Sequence, residues 1–313
     1  MSGPIEISVV IPCLNEAENV EAIAAAVKAE LANAGVASYE IIFIDNGSTD
    51  GTIELIKTLC AADLAVRLIV NTRNYGQKRS PTYAIYQTSG AAVIGICADF
   101  QDPPEMIGQF IDRWRAGAKI ILGARASEKM SVGMRLFRLL GYGFLARFSD
   151  YRVLPNVTGF GLYDRTVVDC LKQWRDPEPF FRGMLVESGF GLEIIPHARP
   201  PRAAGRSKNS FFAMIDFGLS GVASASSQLM RAPLYLAPFV FAATALVLVV
   251  GIWLTVVGRG SWTPFLVALG GACFGANLVF LGLMGEQVRL IAKTVRGEPL
   301  VVERERVNFP AAR

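Results

Sequence analysis

The feature that most restricts how this 313-residue chain can fold lies near its C-terminal end, where residues 232–258 contain no Asp, Glu, Lys, Arg or His. A lone Arg259 follows, and a second uncharged stretch runs over residues 260–285. Each stretch exceeds the roughly 20 apolar residues that a bilayer core requires, so two transmembrane helices are expected, joined as a hairpin over 232–290. The hairpin accounts for a composition that is 52% hydrophobic and only 19% charged, too apolar for an ordinary soluble chain. The N-terminus, MSGPIEISVV, lacks a basic segment ahead of an apolar core and does not read as a signal peptide. The residues before the hairpin suffice for one large domain with its own core.

Charge orients the hairpin. Arg199, Arg202, Arg206, Lys208 and Arg231 precede it against the single acid Asp216, and Arg289, Lys293 and Arg296 follow it, while the turn between the stretches offers only Arg259. The bias of basic residues toward the cytoplasm predicts a multi-pass protein of the cytoplasmic membrane, with both termini and the large domain inside. The five cysteines are scattered without a C-x-x-C pair, which reads as reduced thiols. His197, the one histidine, stands in Ile-Pro-His-Ala-Arg-Pro-Pro and reads as a surface turn residue, which disfavours Cys/His zinc sites and a Ser-His-Asp triad. No basic stripe interleaved with aromatics crosses the large domain, so no nucleic-acid partner is expected.

The first 125 residues alternate between strand and helix signals. Strands are expected over 5–11, 39–44, 66–70, 92–97 and 119–122, with helices to about Gly35, to about Ala62, over 81–89 and over 103–116. Asn15 stands three before Glu18, a capping-box-like start for the first helix. This regular alternation implies an α/β fold with a mostly parallel, Rossmann-like sheet covered on both faces. Ligands of such sheets bind at the carboxyl ends of the strands, where Asn15, Glu16, Asp45, Arg73, Asn74, Asp99, Gln101, Asp102 and Arg125 collect. Neither G-x-G-x-x-G nor G-x-x-x-x-G-K-[ST] occurs, which disfavours nicotinamide enzymes and ATPases of those types.

Residues 128–148 carry Met130, Met134, Phe137, Phe144 and Phe148 at helical spacings among Lys129, Arg135, Arg138 and Arg147. Such a helix either lies in the lipid headgroup plane or packs on its own domain; residues 211–229 invite the same interfacial reading.

After the fourth strand, Asp99 and Gln101 stand two apart, and an extended segment would turn both to one side, where they could share a hard divalent cation with substrate phosphates. Asp102 reads better as a helix N-cap, with Pro103 at the first helical position and Glu105 as the capping-box partner.

These blocks resemble glycosyltransferase family two: residues 9–16 (VVIPCLNE), 44–52 (IDNGSTDGT), 73–76 (RNYG) and 98–104 (ADFQDPP) follow in order. Residues 123–125, 158–165, 180–183 and 205–208 match further segments of its polyprenyl-phosphate sugar transferases, the bactoprenol glucosyltransferases and dolichyl-phosphate mannose synthases. The resemblance implies a GT-A catalytic domain over 1–205, a juxtamembrane amphipathic segment over 206–231, the hairpin over 232–290 and a cytoplasmic tail over 291–313. It implies that Pro12, Asn15, Glu16, Asp45 and Asn46 line the nucleotide pocket and that Asp99 with Gln101 holds Mg²⁺ or Mn²⁺. It places Arg125, a catalytic residue with Asp99, near the transferred sugar or the acceptor phosphate. Arg202, Arg206 and Lys208 fall where a basic stretch closes on phosphates, or attracts anionic lipid. The implied reaction is metal-dependent, inverting transfer of a hexose, glucose from UDP-glucose first, to undecaprenyl phosphate at the cytoplasmic face. Glycines of the second stretch also permit a homo-oligomer.

Three departures stand out. The usual acidic pair after the second strand is Asp45-Asn46, the usual D-x-D is Cys97-Ala98-Asp99, and Gly159-Phe160-Gly161 replaces Asp-Phe-Arg. Cys97 reads as a small hydrophobe in a buried strand position rather than a thiolate ligand. The departures leave open another donor, such as UDP-galactose, a UDP-N-acetylhexosamine or GDP-mannose, and a catalytically silent scaffold of glycan assembly. A flippase is disfavoured, because two uncharged spans provide no polar path.

Overall fold

The computed structural model describes residues 4–125, 154, 157–198, 227–258 and 263–310. The expected interfacial helix over 128–148, most of 211–229, and Arg202, Arg206 and Lys208 lie outside the described residues. The chain divides into two compact units, one built on a β-sheet and including Gly297–Arg313, the other carrying the two apolar helices.

In the first unit the alternation of the sequence produces β1 (Ile7–Cys13), α1 (Val20–Asn33), β2 (Tyr39–Asp45), α2 (Thr52–Ala62), β3 (Val66–Asn71), α3 (Gly76–Tyr86), β4 (Ala92–Gly95), α4 (Met106–Arg115) and β5 (Ile120–Arg125). Then come β6 (Val157–Asp164), α5 (Arg165–Lys172), α6 (Phe181–Glu187), β7 (Leu192–His197) and, from the far end of the chain, β8 (Glu303–Val307). The strands form one sheet in the order β7-β5-β6-β4-β1-β2-β3-β8. Only β6 and β8 run against the rest, so β1 to β5 and β7 bring their carboxyl ends to one edge.

Side chains alternate across a strand, and here both faces are apolar. Val9, Ile11, Ile41, Phe43, Leu68 and Ile94 pack on one face with Ile23, Val27, Ile56, Ile107 and Phe110 of α1, α2 and α4. Val10, Ile42, Ile44, Ile69, Val93 and Leu122 pack on the other with Ile85, Val167, Leu171 and Leu185 of α3, α5 and α6. The third helix begins at Gly76, ahead of the expected start at Pro81, because Asn74 Oδ1 accepts the Gly76 N–H at 2.7 Å and fixes the first turn.

At the amino edge, Glu40 is fully buried yet paired on both oxygens. Its Oε1 accepts from Ser8 Oγ (2.6 Å), Ser89 N (2.6 Å) and Ser89 Oγ (2.9 Å), and its Oε2 takes the Arg67 guanidinium.

The C-terminal segment departs from the expected tail over 291–313. The second apolar helix runs on to Arg296, and β8 then pairs antiparallel with β3. Thr72 N–H donates to Val302 O (3.0 Å), Lys57 meets Glu305 (2.6 Å), Arg79 donates to Pro299 O and Leu300 O (2.6 and 2.8 Å), and Asn308 donates to Cys60 O (2.7 Å). A charged strand that covers a sheet edge needs no apolar run of its own.

The second unit holds α7 (Ser227–Val256) and α8 (Thr263–Arg296). Where two membrane-spanning helices were expected, one candidate span is found among the described residues, the 25-residue segment Phe265–Arg289; α7 contributes a shorter apolar segment, Ala242–Val256. Leu246, Trp253 and Val256 on α7, and Phe274, Leu278 and Leu281 on α8, are exposed, a run of bare apolar surface along both helices.

Candidate active site

At the carboxyl ends of β1 and β2, short polar residues lace the two following loops together. Asn15 adopts a left-handed backbone (φ 55°), donates its N–H to Ser48 Oγ (2.8 Å) and accepts the Thr49 N–H on Oδ1 (2.8 Å). It therefore does not cap α1, which starts five residues later at Val20, after Asn19 has donated its amide to Glu16 Oε2 (2.7 Å). Glu16 N–H donates to Thr52 Oγ1 (2.9 Å). Pro12, half-buried on β1, pairs in register with Ile44.

Asp45, fully buried at the end of β2, accepts the N–H groups of Gly47 (3.0 Å) and Ser48 (2.9 Å) on Oδ1, while Oδ2 has no hydrogen-bond partner among the described residues. Beside it, burial first and then the carboxylates of Asp45, Glu16 and Asp50 push the Cys13 thiol well up, so it stays protonated. Asn46 behaves differently. Its amide donates to Asn74 Oδ1 (2.9 Å) and Gly76 O (3.3 Å), and its oxygen accepts from Asn71 Nδ2 (3.1 Å) and Tyr75 N–H (2.8 Å). All four capacities of the amide are used, so Asn46 braces the β3–α3 loop and offers a nucleotide no free group. A carboxylate there would face Asn74 Oδ1 and Gly76 O with no proton to donate, which explains why an amide replaces the second acid. The brace holds Arg73 4.1 Å above the ring of Tyr75.

On the other half of the edge, β4 stops at Gly95 and the chain turns at once, with Phe100 left-handed (φ 59°). Asp99 and Gln101 thus lie in a turn and not on an extended segment, and Asp99 Oδ1 accepts the Gln101 N–H at 3.1 Å. Cys97, expected in a buried strand position, lies past the end of β4, and burial first and then Asp102 push its thiol well up. Asp102 is not an N-cap either. It is buried, accepts the Cys97 N–H on Oδ2 (3.2 Å) and points Oδ1 toward Arg125 NH2 (3.8 Å), while Glu105 precedes α4 without a side-chain cap. Burial outweighs Arg125 and the bonds from Cys97, and holds the Asp102 carboxyl above the usual carboxylate range.

Arg125 closes β5, and the parallel register sets it opposite His197 at the end of β7. His197, expected at the surface, is buried; its strand was missed because Pro196 reads as a turn, yet β7 is an edge strand, where proline is tolerated. Its Nδ1 lies 3.0 Å from Ala198 O, and its ring meets Phe160 edge to face at 5.6 Å. The two glycines of the third departure differ. A Cβ on Gly161 would stand 2.3 Å from Ile121 O, so β6 can approach β5 only with glycine there, whereas a Cβ on Gly159 meets nothing within 4 Å.

Among the described residues no cluster of three or more His, Cys, Asp or Glu side chains is placed to hold a metal unaided. The donor set present, the carboxylate of Asp99 and the amide of Gln101, both partly exposed, suits a hard cation that takes most of its ligands from a diphosphate and water.

The model of the family described as glycosyl transferase family 2 matches residues 8–171, more than half of the chain. The chain belongs to glycosyl transferase family 2. It is thus a glycosyltransferase, as the ordered motifs imply. It is 30% identical over 94% of its length to the bactoprenol glucosyl transferase of Shigella phage SfX, and covers 97% of that protein. It is 28% identical over 96% of its length to the prophage bactoprenol glucosyl transferase homolog of Escherichia coli K12, 99% of which it covers, and 29% identical over 95% to an uncharacterized glycosyltransferase of Synechocystis, covering 94%. Among solved structures it is similar to glucosyl-3-phosphoglycerate synthase from Mycobacterium tuberculosis in complex with Mn²⁺, UDP and glucosyl-3-phosphoglycerate. The TM-score is 0.51 at 17% identity, over 71% of this chain and 78% of that one, a likeness of fold.

Proposed function

We propose that this glycosyltransferase moves a hexose, glucose from UDP-glucose first, onto a polyprenyl phosphate such as undecaprenyl phosphate at the cytoplasmic membrane face. The observation that carries this reading is the similarity to bactoprenol glucosyl transferases along almost the whole chain, apolar helices included. Phe265–Arg289 and the helix that contains Ala242–Val256 form the two spans of the anchor, with the sheet unit in the cytoplasm.

The residues divide the work by position. Asp45, with a buried oxygen unpaired among the described residues, meets an N–H of the base, beside Pro12, Asn15 and Glu16. Asp99 and Gln101 hold Mg²⁺ or Mn²⁺, which neutralises charge on the nucleotide diphosphate when bound. Arg125, kept in place by Asp102, stands near the transferred sugar or the acceptor phosphate, and Arg202, Arg206 and Lys208 close on the phosphates. A polyprenyl monophosphate is already anionic at neutral pH and needs no strong base. One of its oxygens attacks the anomeric carbon, the bond from that carbon to the nucleotide diphosphate breaks, and UDP leaves in a single inverting displacement.

The test is transfer of radiolabelled sugar from a panel of UDP and GDP donors to undecaprenyl phosphate by purified full-length protein in detergent, with and without Mn²⁺ or Mg²⁺. Metal-dependent label in the lipid phase from one donor is the expected result and names the sugar. Nucleotide release without lipid product would remove the acceptor. Neither product from folded protein would leave a silent scaffold as the better description.

A further inference from the structure

Three of the buried side-chain atoms that have no hydrogen-bond partner among the described residues belong to neighbouring residues on the second half of the carboxyl edge: Asp102 Oδ1, Arg125 Nε and His197 Nε2. Asp102 and His197 are only 1% and 7% exposed. A buried polar atom left unpaired costs about 1–3 kcal/mol, so a set of them at a binding edge marks where a ligand completes the bonding.

The chemistry of the set is mixed. A carbonyl oxygen can only accept, so Nδ1–H donates to Ala198 O, and the tautomer that fits this contact presents Nε2 as an acceptor. Its Cδ2, bonded to Nε2, comes within 3.2 Å of where a Cβ on Gly123 would stand, so this end of the ring lies over β5, two residues before Arg125 on the same face. Asp102 Oδ1 is an acceptor and Arg125 Nε a donor, and the two residues already face each other at 3.8 Å. A phosphate, which brings only acceptor oxygens, suits Arg125 but leaves both acceptors unmatched. Sugar hydroxyls donate and accept together and match all three.

We propose that His197, with Asp102 and Arg125, forms the subsite that holds hydroxyls of the transferred hexose, and that His197 Nε2 accepts a hydrogen bond from one of them. The inference rests on the nucleotide-sugar reading above and adds to it a residue that discriminates among sugars. Glycine at 123 is part of the subsite, because a side chain there would press on the rings of His197 and Phe160.

The experiment compares wild type with His197→Phe, His197→Gln and His197→Asn in detergent, measuring kcat and KM for UDP-glucose and for its monodeoxyglucose counterparts, and inhibition by UDP alone. Glutamine can set an acceptor near the Nε2 position; asparagine reaches only the Nδ1 position. Phe and Asn are expected to lower kcat/KM for UDP-glucose about 10- to 100-fold, with inhibition by UDP unchanged, and Gln to restore most of it. One deoxy donor should be used equally by wild type and His197→Phe, which identifies the hydroxyl. The inference is overturned if folded His197→Phe keeps its kcat/KM, if Gln and Asn behave alike, or if the loss falls on the KM for undecaprenyl phosphate or on UDP affinity. Should His197→Phe fail to fold, the Gln and Asn pair decides. A wild type that turns over no nucleotide sugar overturns the functional reading and this inference with it; a wild type that does, beside unaffected variants, overturns the inference alone.

Discussion

At the amino edge of the sheet, buried Glu40 has both oxygens paired, by Arg67, Ser8 and Ser89; at the carboxyl edge, buried Asp45, Asp102 and His197 each keep an atom without a hydrogen-bond partner among the described residues. Five of the six such atoms, those of Asp45, Asn71, Asp102, Arg125 and His197, belong to the carboxyl edge, and the sixth is Arg67 Nε. The two edges share strands, core and chain, so neither composition nor packing accounts for the difference. Among the described residues the amino edge leaves one such atom, Arg67 Nε, and the carboxyl edge five, a concentration that fits an edge kept for a ligand on the reading proposed above.

That division can be broken by substitution. The largest effect is expected from Asp99→Asn, which should lower metal-stimulated transfer about a thousandfold, read as labelled lipid product, with melting temperature unchanged. A fully active variant would remove Asp99 from the metal site. Glu40→Gln is the converse. It leaves Arg67 buried without its counter-charge and should cost about 3–5 kcal/mol in denaturant unfolding, while turnover per folded molecule holds. Asp45→Asn sharpens the contrast between two buried carboxylates in β2, because its new amide would meet the base with a donor where an acceptor is required. UDP affinity should fall about tenfold by calorimetry, with stability changed by less than about 1 kcal/mol.

The smallest expected effect concerns Asp164, which caps α5 by accepting from Thr166 N–H at 3.0 Å. Burial raises its carboxyl, but the Thr166 hydroxyl, the Trp114 indole N–H and Lys119 outweigh it and set the value at about 2. The depressed carboxyl stabilises the fold above the ordinary aspartate range, near pH 4, and that contribution is lost as pH falls toward 2. Asp164→Ala should therefore cost about 1 kcal/mol at pH 7 and progressively less below pH 4, followed by thermal melts across that range.

Much of the fold is legible in the sequence because each of the first five strands is an apolar run buried on both faces and ended by a polar cluster. The last three strands hide their signal. Glycines 159 and 161 dilute β6, Pro196 interrupts β7, and the Glu-Arg-Glu-Arg-Val of β8 covers an edge with charge, which reads as solvated tail. The site divides in the same way. Positions at strand ends, such as Asp45 and Arg125, follow from topology alone. The roles of Asn46, Asp102 and His197 depend on partners contributed by segments distant in sequence, and no local pattern encodes those partners.

The pairing of β8 with β3 has a consequence of parity. The chain leaves the sheet after β7, passes through α7 and α8, and comes back to the same sheet at Glu303. A path that starts and finishes on one side of a surface crosses it an even number of times. On the membrane reading proposed above, a bilayer met between those strands is crossed an even number of times, so Phe265–Arg289 needs a companion crossing.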